Sequence, residues 1–225
     1  MTVSSFNSLS SAQVQSLSSV AIQALGSQSI QGLSTSFTAA LSTAQIQLLT
    51  TNQIQGLNSA QLSSFATPQI AALTTTDLQA LTTLQLSYFN TSEISSLTSS
   101  QVASLQTNQV LGLTTNLIDA LSTSQFTQLN TSDILSLSTL QLANLTTTLV
   151  ASISTTQTGT LSSRQIASLT TSVVSQLSTS VLNVLNSTQI AGLSTVLIPS
   201  LTTAQVASIN TASLSQLSRD RKSVV

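Results

Sequence analysis

The side chains able to take part in chemistry are mostly hydroxyls and carboxamides, joined by five carboxylates and four cations and by no His, Cys or Trp. A Ser or Thr nucleophile needs an activating base and an oxyanion site. Without imidazole, the base would have to be Lys222 or one of the lone acids, so the hydroxyls read as helix caps and surface. The acids Asp77, Glu93, Asp119, Asp133 and Asp220 are scattered along the chain. Asp77 and Glu93 would share a face for acid–base work only if two eight-residue units made one coil, and a capping role explains both. The chain therefore offers no catalytic, metal-binding or cofactor-binding residue, and neither an enzyme nor a cofactor is expected.

Other site chemistries fare no better. Single glycines spaced an octad or more apart do not make a phosphate-cradling loop, and calcium sites need several carboxylates in one loop. Asn90-Thr91-Ser92, Asn130-Thr131-Ser132, Asn144-Leu145-Thr146 and Asn186-Ser187-Thr188 match the N-glycosylation pattern, which a chain this rich in Ser and Thr produces by chance. The basic residues are Arg164, Arg219, Arg221 and Lys222. With only Arg164 in the body there is no patch to neutralise phosphates, so no nucleic-acid partner is expected. The tail Arg219-Asp220-Arg221-Lys222 reads as a solvated end.

Mean hydropathy is positive, yet Ser, Thr, Asn or Gln interrupts every apolar run well short of the ~20 residues of a spanning helix. The start, Met1-Thr2-Val3-Ser4-Ser5-Phe6, lacks the basic and apolar regions of a secretory signal. A chain that enters its repeat at the first residue is expected to be a piece of a longer protein, and the absence of Cys leaves the redox compartment open.

The elements that would position any of these groups are set by one pattern. Every eighth residue is apolar, from Met1 and Leu9 through Leu25, Leu41, Phe65, Leu73, Phe89, Leu121, Ile153 and Leu193 to Leu217, without insertion or deletion. The unit is Leu-Ser/Thr-Thr-x-Gln-Ile/Val/Leu-x-x, as in Leu41 to Leu48 and Leu201 to Ser208. A strict period marks a solenoid whose units bury their apolar sides only against neighbours. Its apolar ranks stand at the first and sixth positions. A single long helix would spiral each rank round its axis. A continuous strand would put residues five apart on opposite faces. A β-solenoid could bend within each octad and is the alternative, but six glycines are too few to turn every corner.

A short helix in each octad satisfies more of the pattern. Position 2 supplies an N-cap: Ser42, Thr50, Thr74, Thr82, Ser122, Ser138 and Thr202. Three residues later stand Gln45, Gln53, Asp77, Gln85, Gln125, Gln141 and Gln205, completing capping boxes. Leu41 with Ile46 and Leu73 with Leu78 hold hydrophobic-staple positions. Asp77, Glu93 and Asp133 put negative charge at helix N-termini, while Gly32, Gly56, Gly112 and Gly192 fall where a helix would end in a left-handed residue. Pro68 suits the first turn, whereas Pro199 in a last turn is expected to distort its octad. Phe37 with Thr38 shifts the apolar rank by one, and Thr158 interrupts it.

The expected fold is all-α, an elongated solenoid of capped helices of about six residues, one per octad. Residues 1–218 would form a single octapeptide-repeat solenoid and 219–225 a basic tail. Helices this short are unstable alone, so the array must hold them.

The units at Leu201 to Ser208 and Leu41 to Gln47 make the chain, from Met1 to about Leu217, resemble octad arrays in very large bacterial surface proteins labelled adhesin-like or haem-utilisation-like. The resemblance implies bacterial origin and a location outside the cell or on its surface. It carries over no catalytic or binding residue, and Tyr88 and Met1 are poor material for a haem site. The function expected is that of a non-enzymatic stalk, spacer or adhesive segment. Its partners would be further repeats, a second copy stacked end to end, surface glycans or other cells. The alternative, an ice-binding or water-ordering Thr array, would need a flat β face.

Overall fold

The computed structural model describes residues 2–215. The expectations for Met1, Leu217 and the basic tail lie outside those residues. Among the described residues, twenty-six α-helices and one 3-10 helix occupy successive octads, and there is no strand. The β-solenoid alternative is thereby excluded, and the fold is a helical solenoid. Residue contacts divide the chain into two compact units, Met1–Leu113 and Thr114–Val225. The octad register of the sequence runs through this division unbroken.

The α-helices have four to six residues, slightly shorter than the pattern suggests. Nearly all begin at an extended cap residue, as Ser42 does with φ −71° and ψ 160°. Each ends in a right-handed residue or passes straight into the next extended one. All seven expected capping boxes form. In one of them the Gln45 amide donates to Ser42 Oγ at 3.2 Å and the Ser42 amide to Gln45 Oε1 at 2.9 Å.

Within each unit, packing runs mostly from one helix to the third one along. In the first unit Thr51–Gln55 packs on Thr75–Ala80 and Thr67–Ala71 on Thr91–Ser96; in the second, Thr155–Gly159 packs on Thr179–Val184. Hydrogen bonds between coils span 25 to 31 residues and recur most often at 28, so one coil holds about three and a half octads. The half-octad remainder staggers the helices like bricks, each starting over a junction in the coil before. Asp77 and Glu93, two octads apart, therefore do not stack, which removes the shared face on which their acid–base pairing depended.

The first and sixth positions form the core, as the spacing requires. Ile46, Ile54 and Leu78 are fully buried, and Leu41, Leu73 and Leu121 nearly so. Two irregularities resolve differently from the sequence reading. Thr38 and Thr158 keep the sixth position and are buried, their hydroxyls donating to the main-chain carbonyls of Thr35 and Ser154. Phe37 takes the fifth position, edge-on to Phe6 with ring centroids 5.9 Å apart. Pro68 lies in the first turn of Thr67–Ala71. Pro199 distorts its octad as expected, leaving only the 3-10 helix Ile198–Ser200.

The glycine expectation fails: no glycine among the described residues has positive φ, and Gly32 and Gly56 lie at −84° and −76°. A left-handed cap serves to satisfy the last carbonyls of a helix, and here other groups do so. Glycine matters instead for close approach between coils. A Cβ on Gly56 would lie 2.6 Å from the carbonyl oxygen of Ser27, and one on Gly192 would strike that of Ser163.

Candidate functional site

The distinctive polar feature of the fold is the glutamine at the fifth position. Gln53, Gln61 and Gln109 are at most 1% exposed, although a capping-box glutamine on a lone helix would face solvent. Burial of a carboxamide is tolerated only when both its ends are bonded. The Oε1 end accepts the amide of its own N-cap residue, from Thr50 to Gln53 at 2.8 Å and from Asn58 to Gln61 at 2.9 Å.

The Nε2 end reaches back one coil. Gln53 donates to the carbonyls of Ile22 and Leu25, both at 2.7 Å. Gln61 donates to Ile30 at 2.6 Å and Leu33 at 2.8 Å, and Gln109 to Leu78 at 2.8 Å and Leu81 at 2.6 Å. The second unit repeats the arrangement. Gln165 donates to Leu137 at 2.9 Å, Gln189 to Leu161 at 2.7 Å and Gln205 to Leu177 at 2.7 Å. The carbonyls reached stand at the end of one helix and the junction after it, where the intrahelical ladder leaves acceptors over. One side chain thus caps the start of its own helix and the end of a helix in the neighbouring coil.

The octad alone conceals this second role, because its target depends on the number of residues per coil. A signal was present nonetheless. Ala66 and Gln106 stand at caps without a hydroxyl, yet Gln69 and Gln109 persist and accept their amides at 2.7 and 2.8 Å. A glutamine kept where no reciprocal cap exists has another bond to make.

Where the fifth position is not glutamine, the substitutes sort by chemistry. Ser213 donates to the Leu185 carbonyl at 3.1 Å, a shortened version of the same link. Leu117, Leu149, Val173 and Val181 are buried apolar replacements. Asp77, Glu93 and Asp133 are also buried. Each accepts its cap amide, Thr74 at 3.1 Å, Asn90 at 2.7 Å and Asn130 at 3.0 Å. Burial pushes the Glu93 carboxyl above its ordinary 4.5, outweighing the opposing bonds from Asn90. Half-buried Asp119 is likewise raised by burial, against the lowering effect of the Thr146 amide it accepts at 3.2 Å.

The remaining candidates from the sequence are dispersed. Asn90, Asn130 and Asn186 are N-caps whose Oδ1 atoms accept helix amides, and Asn144 donates to the Leu140 carbonyl. Arg164 is exposed and Tyr88 half-buried. Among the described residues no three His, Cys, Asp or Glu side chains cluster as metal ligands, and no helix is long and apolar enough to cross a membrane.

A family model described as the ALTTAQ repeat matches residues 38–75 and again residues 70–107. Its letters fall on the octad as the small eighth residue, the first-rank Leu, the cap Thr, the Thr after it, Ala and the buried Gln, close to Ala80-Leu81-Thr82-Thr83-Leu84-Gln85 here. No curated protein matches the chain. Over residues 38–107 the chain is thus similar to an octapeptide-repeat family whose named residues include the glutamine that links the coils.

Proposed function

We propose that this chain is a non-enzymatic structural segment, a stalk or spacer in a bacterial surface protein. One observation carries the reading: the conspicuous polar groups of the repeat are spent inside the fold, its cap hydroxyls on the amides of their own helices and its fifth-position glutamines on holding coil to coil. Each added coil meets the one before through the same bonds, so length is gained by repetition alone. The resemblance of the octad to arrays in large bacterial surface proteins supports the surface location. Two experiments test this reading. Antibody raised against the chain should label intact source cells, and labelling seen only after permeabilisation overturns the location. Pulling the chain by its ends should extend it in steps of whole coils, and a featureless extension overturns the stalk.

End-to-end association with a second copy of this chain would use its first coil. Gln13 is exposed and Leu9 and Leu17 only half-buried, whereas interior members of the same ranks are covered. Those groups are the ones that elsewhere meet a preceding coil. Sedimentation at high concentration should show concentration-dependent association that substitution of Leu9 and Leu17 by Lys abolishes; a strict monomer overturns it. The ice-binding alternative gains no support, because it needs a β face and the position-2 hydroxyls that would form its lattice accept helix amides.

A further inference from the structure

We propose that Glu93 is a protonation-dependent clamp between coils: as a neutral acid it links its helix to the coil before it as glutamine does elsewhere, and on ionising it releases that link. Glu93 occupies the fifth position of its octad and is 2% exposed. Its Oε2 accepts the Asn90 amide at 2.7 Å, and its own amide donates to Asn90 Oδ1 at 3.0 Å. Those bonds reproduce the capping half of the glutamine arrangement.

The linking half is where the acid differs. One octad earlier, Gln85 Nε2 donates to the carbonyls of Ile54, Gln55 and Leu57 at 3.2, 3.2 and 2.8 Å. One octad later, Gln101 donates to Ala71 and Leu73 at 3.0 and 2.6 Å. Carried over from Gln85, the same offsets of 31 and 28 residues make the carbonyls of Leu62 and Phe65, at the end of helix Ser59–Leu62 and the junction after it, the acceptors a donor at position 93 would meet. A carboxylate brings only acceptors to such a place, against the negative end of a helix; a neutral carboxyl brings one O–H donor.

The described residues of this unit include no Lys or Arg to offset ionisation. The helix packed against Thr91–Ser96 is Thr67–Ala71, and neither it nor residues 59–65 contain a titratable or charged side chain. The other titratable side chains described in this unit are Asp77, bonded to Thr74 in its own cap, and half-buried Tyr88. Burial therefore dominates the Glu93 carboxyl and holds its titration above the ordinary value.

Glu93 is the only glutamate in the chain, so carboxyl labelling of glutamate gives one assignable NMR resonance. Its titration midpoint should lie above 4.5, the ordinary value; a midpoint at or below 4.5 overturns the proposal. The second arm compares the protein with E93Q, which restores the repeat's own residue, in urea unfolding from pH 4 to 8. A carboxyl raised in the folded state stabilises below its unfolded pKa and loses that contribution as pH rises through its folded pKa. Relative to E93Q, the unfolding constant should therefore climb by up to about tenfold per pH unit between the two values and then level off. Parallel pH profiles for the two proteins also overturn it.

Discussion

Gln61 Nε2 lies 2.6 Å from the carbonyl oxygen of Ile30, thirty-one residues earlier in the chain, and both residues are buried. That bond joins the start of one helix to the end of another a full coil away. Gln61→Met keeps the length of the side chain and removes its donors and acceptor, leaving the carbonyls of Ile30 and Leu33 and the amide of Asn58 without it. The loss should be about 2–4 kcal/mol, read as a shift in the urea midpoint. A change below about 0.5 kcal/mol would mean that the carboxamide contributes bulk rather than bonds.

Two glycines should respond in opposite directions to alanine. Gly56 faces the Ser27 carbonyl with no room for a methyl group, whereas nothing lies within 4 Å of a Cβ on Gly159. Both have backbone angles open to any residue. Gly56→Ala should therefore destabilise by about 1–3 kcal/mol through overpacking. Gly159→Ala should stabilise by about 0.4–1 kcal/mol, because alanine loses less freedom on folding. Thermal melts of the pair decide the point, and equal shifts would place the coils farther apart at Gly56 than the structure has them.

Much of the fold was legible in the octad because its cues are local. Ser42 and Gln45 are three residues apart, Leu41 and Ile46 five, and every bond among them forms within one turn. What stayed hidden depends on the number of residues per coil, a quantity set by how helices pack rather than by any single octad. Position 8 illustrates this. Its glycines carry helix-end angles that any residue can adopt, and at Gly56 and Gly192 the reason for their small size is a carbonyl twenty-nine residues away. The fifth-position glutamines were read correctly as caps and incompletely as links for the same reason. The glutamate at position 93 then passed for a charge favouring a helix N-terminus, when its burial makes charge costly there.

Thr158 holds a core position with a hydroxyl where its octad neighbours hold Ile or Val. It is 1% exposed and borders a small void of about 10 Å³ shared with Leu142, Val150 and Ile166. Thr158→Ile adds apolar atoms toward that space and removes a hydroxyl bonded only to a carbonyl within its own helix. The gain should be about 1 kcal/mol, near the transfer value of one buried methylene. A lower melting temperature in this variant would show that the void is too narrow to accept the added methyl without strain.

The first apolar rank can be tested at Leu121, buried to 4% exposure in the second unit. Leu121→Asp places a carboxylate among apolar side chains with no partner, so the side chain must stay charged and desolvated, take up a proton, or open the stack around it. Each route costs stability, and the total should reach about 4 kcal/mol or more at neutral pH. Because a proton relieves the charge, the deficit should narrow as the pH falls below 5. Leu121→Asn removes the charge and keeps the shape, so its deficit should not vary with pH. Melting curves of the two variants at two pH values separate the cost of charge from the cost of lost packing. An unchanged melt for Leu121→Asp would mean that the first position is not the core of the solenoid.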